Sequence, residues 1–492
     1  MKEKSVKKNY VYNLILTTVN LVFPLITSPY LSSVLGAANI GKVNYATSIV
    51  NWFILFAGFG IPRYGIREIA RKRDNRKVLS EAFWNLILIQ LLLSVAAIAV
   101  YFVMIFSAGK FRSDIGLYLI MVLMIILSIF SIDWFYQGIE EYGYITIRNI
   151  LFKIVSIALM FALVRDRKDY LLYATINVFG LTFNNVLNYI HAKKYVDKKI
   201  YNFKIGHYLR ELKVYFMTTL IIAIYTSLDQ TLVGSHSEKD LAYYMRSKSL
   251  QGIGLSITNS VVTVFIPRTA YLINKNYEEY KKAIRESINY IYVLSMPCIA
   301  GMFMLSDEFM ILLGGEEFLP AGKSLRIICF LILVNTLGSW QVNQILIPHK
   351  LEKLALNMQT IGALVSFSLN LILIRKFSYI GAAFTWVATE LFLAVTGAIL
   401  IRKKCKDIRI KYFTKSFMKY LVSVLAMSAV IYVIKFFTPN YIMAIICSLI
   451  TAPIVYFGML ILLKDSMVIN MIEELMEKVK SKAFIKNRVV SK

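Results

Sequence analysis

The chain has 492 residues, 58% of them hydrophobic and only 17% charged, with a mean hydropathy of +0.60. A soluble globular chain is about half apolar and a quarter charged, so this composition argues against a soluble enzyme or binding module. A net charge of +27 would mark a polyanion binder among soluble proteins, but here the Lys and Arg residues cluster in alternate connectors and build no basic stripe, which argues against nucleic acid as a partner.

The apolar residues come in blocks of roughly 20, enough to cross about 30 Å of hydrocarbon as a helix. In lipid the backbone must satisfy its own hydrogen bonds, so such blocks are helices. The expected fold class is an all-α polytopic membrane protein with about 14 spans. The first, near 10–35, follows a basic start; it is read as a retained helix because it is long and contains Asn20 and Pro24. The next spans are placed near 40–62, 82–107, 115–136, 145–164 and 170–190. Those of the second half fall near 214–234, 241–266, 288–306, 324–347, 354–374 and 379–401, and two more near 420–437 and 441–463.

Orientation follows from the connectors. Lys2, Lys4, Lys7 and Lys8 precede the first span; Arg63, Arg67, Arg71, Lys72, Arg73, Arg76 and Lys77 follow the second. Lys193, Lys194, Lys198, Lys199 and Lys204 follow the sixth, and Arg402, Lys403, Lys404, Lys406, Arg409 and Lys411 the twelfth. The tail adds Lys478, Lys480, Lys482, Lys486 and Arg488. An even number of spans with both termini cytoplasmic puts all of these on the positive-inside face. A weak repeat at an offset of roughly 205–210 residues pairs Ile61-Pro62-Arg63 with Ile266-Pro267-Arg268 and Ala192-Lys193-Lys194 with Arg402-Lys403-Lys404. It predicts two pseudo-symmetric six-helix lobes, 1–195 (spans 1–6) and 196–405 (spans 7–12). Two C-terminal helices, 406–464, and a basic tail, 465–492, follow.

No nucleotide-binding G-x-x-x-x-G-K-[ST] loop occurs; the segment from Gly36 to Lys42 comes near, but Val43 stands where the hydroxyl belongs. The four cysteines form no close pair, and the four histidines no ligand set, so neither a metal nor a cofactor is expected. Polar residues inside the spans are more informative. Asn20 shares a face of span one with Asn13, Thr17, Pro24 and Thr27, and span two carries Asn44, Ser48 and Asn51. Such stripes fit a wet cavity, or else the hydrogen bonding between helices that is worth about 0.6 kcal/mol per contact. Ionisable residues at membrane depth are functional candidates. Asp229 ends a polar face of span seven. Arg246 and Lys248, two apart, point to different sides of span eight, and Lys248 shares its face with Gly252 and Asn259. Lys153 lies in span five, Glu390 in span twelve and Asp133 near one end of span four.

Four segments carry a resemblance: Ser32-Ser33-Val34-Leu35-Gly36 through Tyr45-Ala46, Gly65-Ile66-Arg67-Glu68-Ile69-Ala70-Arg71, Asp133-Trp134-Phe135-Tyr136-Gln137-Gly138-Ile139-Glu140, and Tyr225-Thr226-Ser227-Leu228-Asp229 with Gly234. The chain resembles the polysaccharide transporter (repeat-unit flippase) family of the multidrug/oligosaccharidyl-lipid/polysaccharide exporter superfamily. The resemblance implies a flippase, not an enzyme. It would move undecaprenyl-pyrophosphate-linked oligosaccharide from the cytoplasmic to the outer leaflet of the bacterial cytoplasmic membrane by alternating access, for capsule, O-antigen-like or exopolysaccharide assembly. Membrane lipids, a polysaccharide polymerase and a coupling Na+ or H+ ion are the further partners it allows.

On that reading Arg246 and Lys248 hold the pyrophosphate, with Asn20, Asn44, Asn51 and Asn259 on the sugar. Asp229, Glu390 and Asp133 would couple or orient. Span one lacks the arginines of the related lipid II flippases, which speaks against a peptidoglycan precursor. A multidrug/cation antiporter of the same superfamily is the rival that acidic Asp229 and Glu390 would favour, and a membrane glycan polymerase is a more distant one.

Overall fold

The computed structural model describes residues 6–197, 203–408 and 410–473. Lys2, Lys4, Lys198, Lys199, Arg409 and the tail cations from Lys478 onward, used above for orientation, lie outside the described residues.

Every regular element among the described residues is helical. In chain order they are α1 (Val6–Gly58), α2 (Ile61–Lys72), α3 (Arg76–Ser107), α4 (Gly109–Arg112), α5 (Ile115–Ser128), α6 (Asp133–Gly138), α7 (Tyr142–Leu163) and α8 (Tyr170–Val178). A π-helical turn, Phe179–Phe183, joins α8 to α9 (Asn184–Ala192), and α10 (Ile205–His236), α11 (Glu238–Lys275), α12 (Tyr277–Met304) and α13 (Ser306–Gly314) follow. Then come α14 (Ala321–Ile328), α15 (Leu331–Trp340), a second π-turn at Gln341–Leu346, α16 (Glu352–Lys404), α17 (Lys415–Phe437) and α18 (Tyr441–Leu462). Among the described residues, 11 helical stretches are long and apolar enough to cross a membrane. The chain is a polytopic α-helical membrane protein.

α1 and α16 each run for 53 residues, roughly 80 Å if straight and more than twice the hydrocarbon thickness. Each therefore breaks once, and each holds two expected spans. α1 breaks at Gly36, at φ 73° and ψ 168°, a conformation that only glycine adopts without strain. A Cβ there would also stand 3.1 Å from a carboxylate oxygen of Glu317. α16 breaks at Ser378, at φ 48° and ψ −129°, where a side chain is strained. The Ser378 hydroxyl donates to Asp240, which helps to hold that break.

The stretch expected as the connector after span two is instead the helix α2. Its buried residues Ile61, Tyr64, Gly65, Glu68 and Ile69 recur at steps of three or four, while Arg63, Arg67 and Arg71 line the exposed face. This is an amphipathic helix by period. Its density of cations, counted for orientation, hid that period.

The chain divides into two compact units. The first comprises 1–249, 313–318 and 359–386. Its core packs Phe83, Trp134, Phe135, Tyr136, Ile61 and Ile69. Two segments that carry the family resemblance meet there: a Cβ on Gly65 would lie 2.5 Å from the Trp134 ring, so only glycine lets α2 approach α6 this closely. Arg73 and Glu140 close the same contact with a 2.5 Å ion pair. The second unit comprises 250–312, 319–358 and 387–492. Its core gathers Trp340, Tyr280, Tyr420 and Tyr456, with α17 and α18 packed on α12. Three of its buried polar side chains form a chain: Trp340 Nε1 donates to Ser287 Oγ at 2.8 Å, and that hydroxyl donates to Gln344 Oε1 at 2.9 Å.

Candidate functional site

A cavity of about 430 Å³ lies within the first unit, between the second half of α1 and α10. α1 turns Ser48, Asn51, Leu55 and Gly58 into it at steps of three and four, and α10 turns Thr219, Ala223, Ser227 and Gln230 into it in the same way. Two helix faces of mixed polar and small residues thus oppose each other. α2 begins at the cavity because Gly60, at φ 80°, ends α1 and starts a new helix, which places Pro62 and Arg63 in the lining.

The charges of this cavity are uneven. Arg63 is exposed and has no hydrogen bond or ion pair among the described residues. Arg67 and Arg71 continue from it along α2 at four-residue steps, with Arg67 over the Tyr64 and Tyr215 rings at 5.9 and 5.4 Å. Asn51 is likewise exposed and unbonded among the described residues. By contrast Trp52 Nε1 donates to Thr231 at 2.9 Å, and Thr219 and Ser48 donate to backbone carbonyls. What the cavity offers a ligand is one free guanidinium, one free amide, and hydroxyls that can still accept.

Asp229 adjoins Gln230 in sequence and is 3% exposed. Its carboxylate is fully engaged: Lys248 Nζ lies 3.1 Å from Oδ2, the Tyr244 hydroxyl donates to Oδ2 at 2.5 Å, and the Gln230 N–H donates to Oδ1 at 2.8 Å. Lys248 also donates to the Thr226 carbonyl and lies 4.3 Å from the Trp386 ring centroid. The expected pairing of a cation and an acid from neighbouring spans is present, and Lys248 supplies the cation. Arg246 points elsewhere. It is 8% exposed, donates to Ser32 Oγ at 2.7 Å and stacks 4.8 Å over the Phe318 ring, one turn of α1 before the break at Gly36.

The remaining expected residues fall in separate places. Asn20 accepts from Lys153, which also lies 5.0 Å over the Phe23 ring. Asn44 is half-buried on the α1 stripe. Asp133 accepts from Arg148 at 3.0 Å and from Asn188 at 2.6 Å. Within the second unit, Glu390 accepts from Asn335 at 2.8 Å, and Asn259 keeps a buried Oδ1 with no partner among the described residues. Sequence reasoning missed Arg63 as a site residue, the Thr219–Gln230 face, and the buried Arg148. The four-residue spacing of Thr219, Ala223 and Ser227 and the helical period of 61–72 were the signals for the first two.

A family model described as "Polysaccharide biosynthesis protein" matches residues 6–273, just over half of the chain. The chain belongs to that family. A relative from Escherichia coli (strain K12), named as a candidate O-antigen transporter, is 21% identical over 405 residues, 81% of this chain and 97% of that one. A Haloferax volcanii protein, named as a candidate low-salt glycan biosynthesis flippase, is 24% identical over 218 residues, 43% of this chain and 44% of the other.

Among solved structures, the inward closed conformation of the lipid II flippase MurJ superposes with a TM-score of 0.73 at 16% identity, covering 92% of this chain and 97% of that one. An inward-facing multidrug resistance MATE family transporter of the MOP superfamily gives 0.62 at 13% identity, covering 80% and 95%. At these identities the likeness is one of fold. This family member therefore has the helical architecture of the superfamily named by the resemblance.

Proposed function

We propose that this protein is a flippase for lipid-linked oligosaccharides, working by alternating access, with no catalytic step of its own. The observation that carries this is the cavity between α1 and α10, which joins an unpaired guanidinium to an amide and hydroxyl lining. A diphosphate needs a cation that can present two N–H groups at once, and sugars need many weak donors and acceptors. The names of the E. coli and Haloferax relatives point to the same cargo class, and a surface polysaccharide repeat unit on undecaprenyl pyrophosphate is its expected form.

In this account Arg63 receives the diphosphate, with Asn51, Thr219, Ser227 and Gln230 toward the sugars. Arg246 is a later position on the path, since its guanidinium is buried here beside Ser32 and Phe318 and meets a phosphate only when that packing opens. Asp229 orients Lys248, and Na+ or H+ is the coupling ion to be tested. The proposal includes a bacterial cytoplasmic membrane location, cytoplasmic termini, and the two six-helix lobes 1–195 and 196–405; superposing spans 1–6 on 7–12 tests the lobes. A cation antiporter is less well supported, because the Asp229 carboxylate that a cationic drug would need is already neutralised by Lys248. The test is translocation of a fluorescent polyprenyl-diphosphate oligosaccharide by proteoliposomes. Translocation above empty liposomes is expected; its absence, with cationic dye efflux present, would replace the flippase reading with the antiporter.

A further inference from the structure

The second unit holds a cavity of a different kind. It measures about 920 Å³, near the upper end of the roughly 300–1,000 Å³ typical of ligand pockets. α15 contributes Leu333, Val334 and Leu337, and α16 contributes Leu391, Val395 and Ile399 at four-residue steps. Those three α16 residues are each about half exposed, at 50%, 50% and 49%, so this apolar wall is open to whatever fills the cavity. The strap after α16, described at 405–408 and 410–414 and non-helical there, lines the cavity with Ile408, Ile410 and Tyr412, and Phe413, also in the lining, is 81% exposed. An exposed aromatic beside cations is the pattern of a membrane–water interface.

The polar groups of the cavity are few, and its charged ones are both cations. Arg402, at the end of α16, and Lys406, on the strap, are exposed and have no ion pair among the described residues. Gln341 is 1% exposed; its Nε2 donates to the Ala394 carbonyl at 3.0 Å and to the Tyr412 hydroxyl at 3.1 Å. Its Oε1 is buried without a partner. That oxygen packs against Gly397, where a Cβ would stand 2.2 Å from it, and so faces α16 and not the cavity. The cavity therefore asks for a long apolar body and a negative group for two cations.

We propose that this cavity is a binding site for one anionic glycerophospholipid of the surrounding membrane. Its acyl chains lie against α15 and α16, and its phosphate meets Arg402 and Lys406. The lipid braces the strap between α16 and α17. A carried oligosaccharide would find almost no hydrogen-bonding wall here, which favours a resident membrane lipid over cargo. The inference stands whatever the transported molecule is.

The experiment is native mass spectrometry of the full chain in mild detergent, titrated with phosphatidylglycerol or phosphatidylethanolamine of matched chains. Wild type should retain one phosphatidylglycerol with at least about tenfold preference over phosphatidylethanolamine, the lower end of what a charge-assisted bond contributes. Arg402→Ala with Lys406→Ala, both at exposed positions, should erase the preference. Ala398→Phe, on the cavity wall, should remove the adduct altogether, and if that variant does not fold the charge variant decides. Equal retention of the two lipids by wild type, no adduct, an adduct surviving Ala398→Phe, or displacement of phosphatidylglycerol by equimolar undecaprenyl phosphate would each overturn the proposal.

Discussion

The cavity of the first unit lies between two long helices and that of the second between the ten-residue α15 and the long α16, each beside a short basic element, yet they would hold opposite things. In the first, the helix faces read Ser48-Asn51 and Thr219-Ser227-Gln230, and the free charge of Arg63 belongs to the lining. In the second the faces read Leu333-Val334-Leu337 and Leu391-Val395-Ile399, and the charges sit at a helix end and on a strap. Both linings are mostly apolar, but the first sets a free guanidinium and an amide among its apolar residues, where a charged headgroup finds partners, while the second offers a continuous apolar wall that expels water and retains a chain. On these two readings, side-chain choice along a four-residue period would separate a path from a resting place within one membrane fold.

The largest expected effect concerns what keeps the first cavity's charges apart from its neighbours. Asp229→Leu leaves the Lys248 ammonium buried without its acid, and should lower stability by about 3–5 kcal/mol. Replacing both, Asp229→Leu with Lys248→Met, should recover most of that in a detergent thermal-unfolding series. If the single and double variants melt alike, the pair is not internally neutralised and Lys248 becomes as free as Arg63.

Next in size is Gly65→Leu. It drives a side chain into the Trp134 ring and should cost about 1–3 kcal/mol or more by overpacking, read as loss of folded protein at the membrane. A wild-type melting temperature would show that α2 is not anchored through this contact. The smallest effect is expected from Arg67→Gln with Arg71→Gln. These exposed charges lead to the cavity without lining it, so cargo uptake should fall only a few-fold, and the difference should vanish at about 1 M salt, where the screening length is near 3 Å. A salt-independent loss would give these residues a direct contact.

Much of this architecture was legible beforehand, because apolar blocks near 20 residues admit only helices in lipid. The pairing of Asp229 with the span carrying Arg246 and Lys248 was legible too, from charge at membrane depth. Which cation took the acid was not, since residues two apart on a helix differ only in direction and the neighbours Ser32 and Phe318, far off in sequence, decide it. Gly36 and Ser378 show the same limit. Each breaks a 53-residue helix, but a glycine amid helix formers gives weak notice and a serine none. Arg63 was visible only as one more connector cation, because the period of Ile61, Tyr64, Gly65, Glu68 and Ile69 includes a buried charge.

The central claim is that the first unit's cavity receives the cargo's diphosphate at Arg63. It is tested most directly by initial rates of fluorescent polyprenyl-diphosphate oligosaccharide translocation in proteoliposomes, at subsaturating cargo and equal protein incorporation. Arg63→Ala should reduce the rate by roughly 10- to 150-fold, the equivalent of one lost charge-assisted hydrogen bond. Arg63→Lys should fall between, having charge without the bidentate fork. An Arg63→Ala protein that translocates at the wild-type rate would contradict the account.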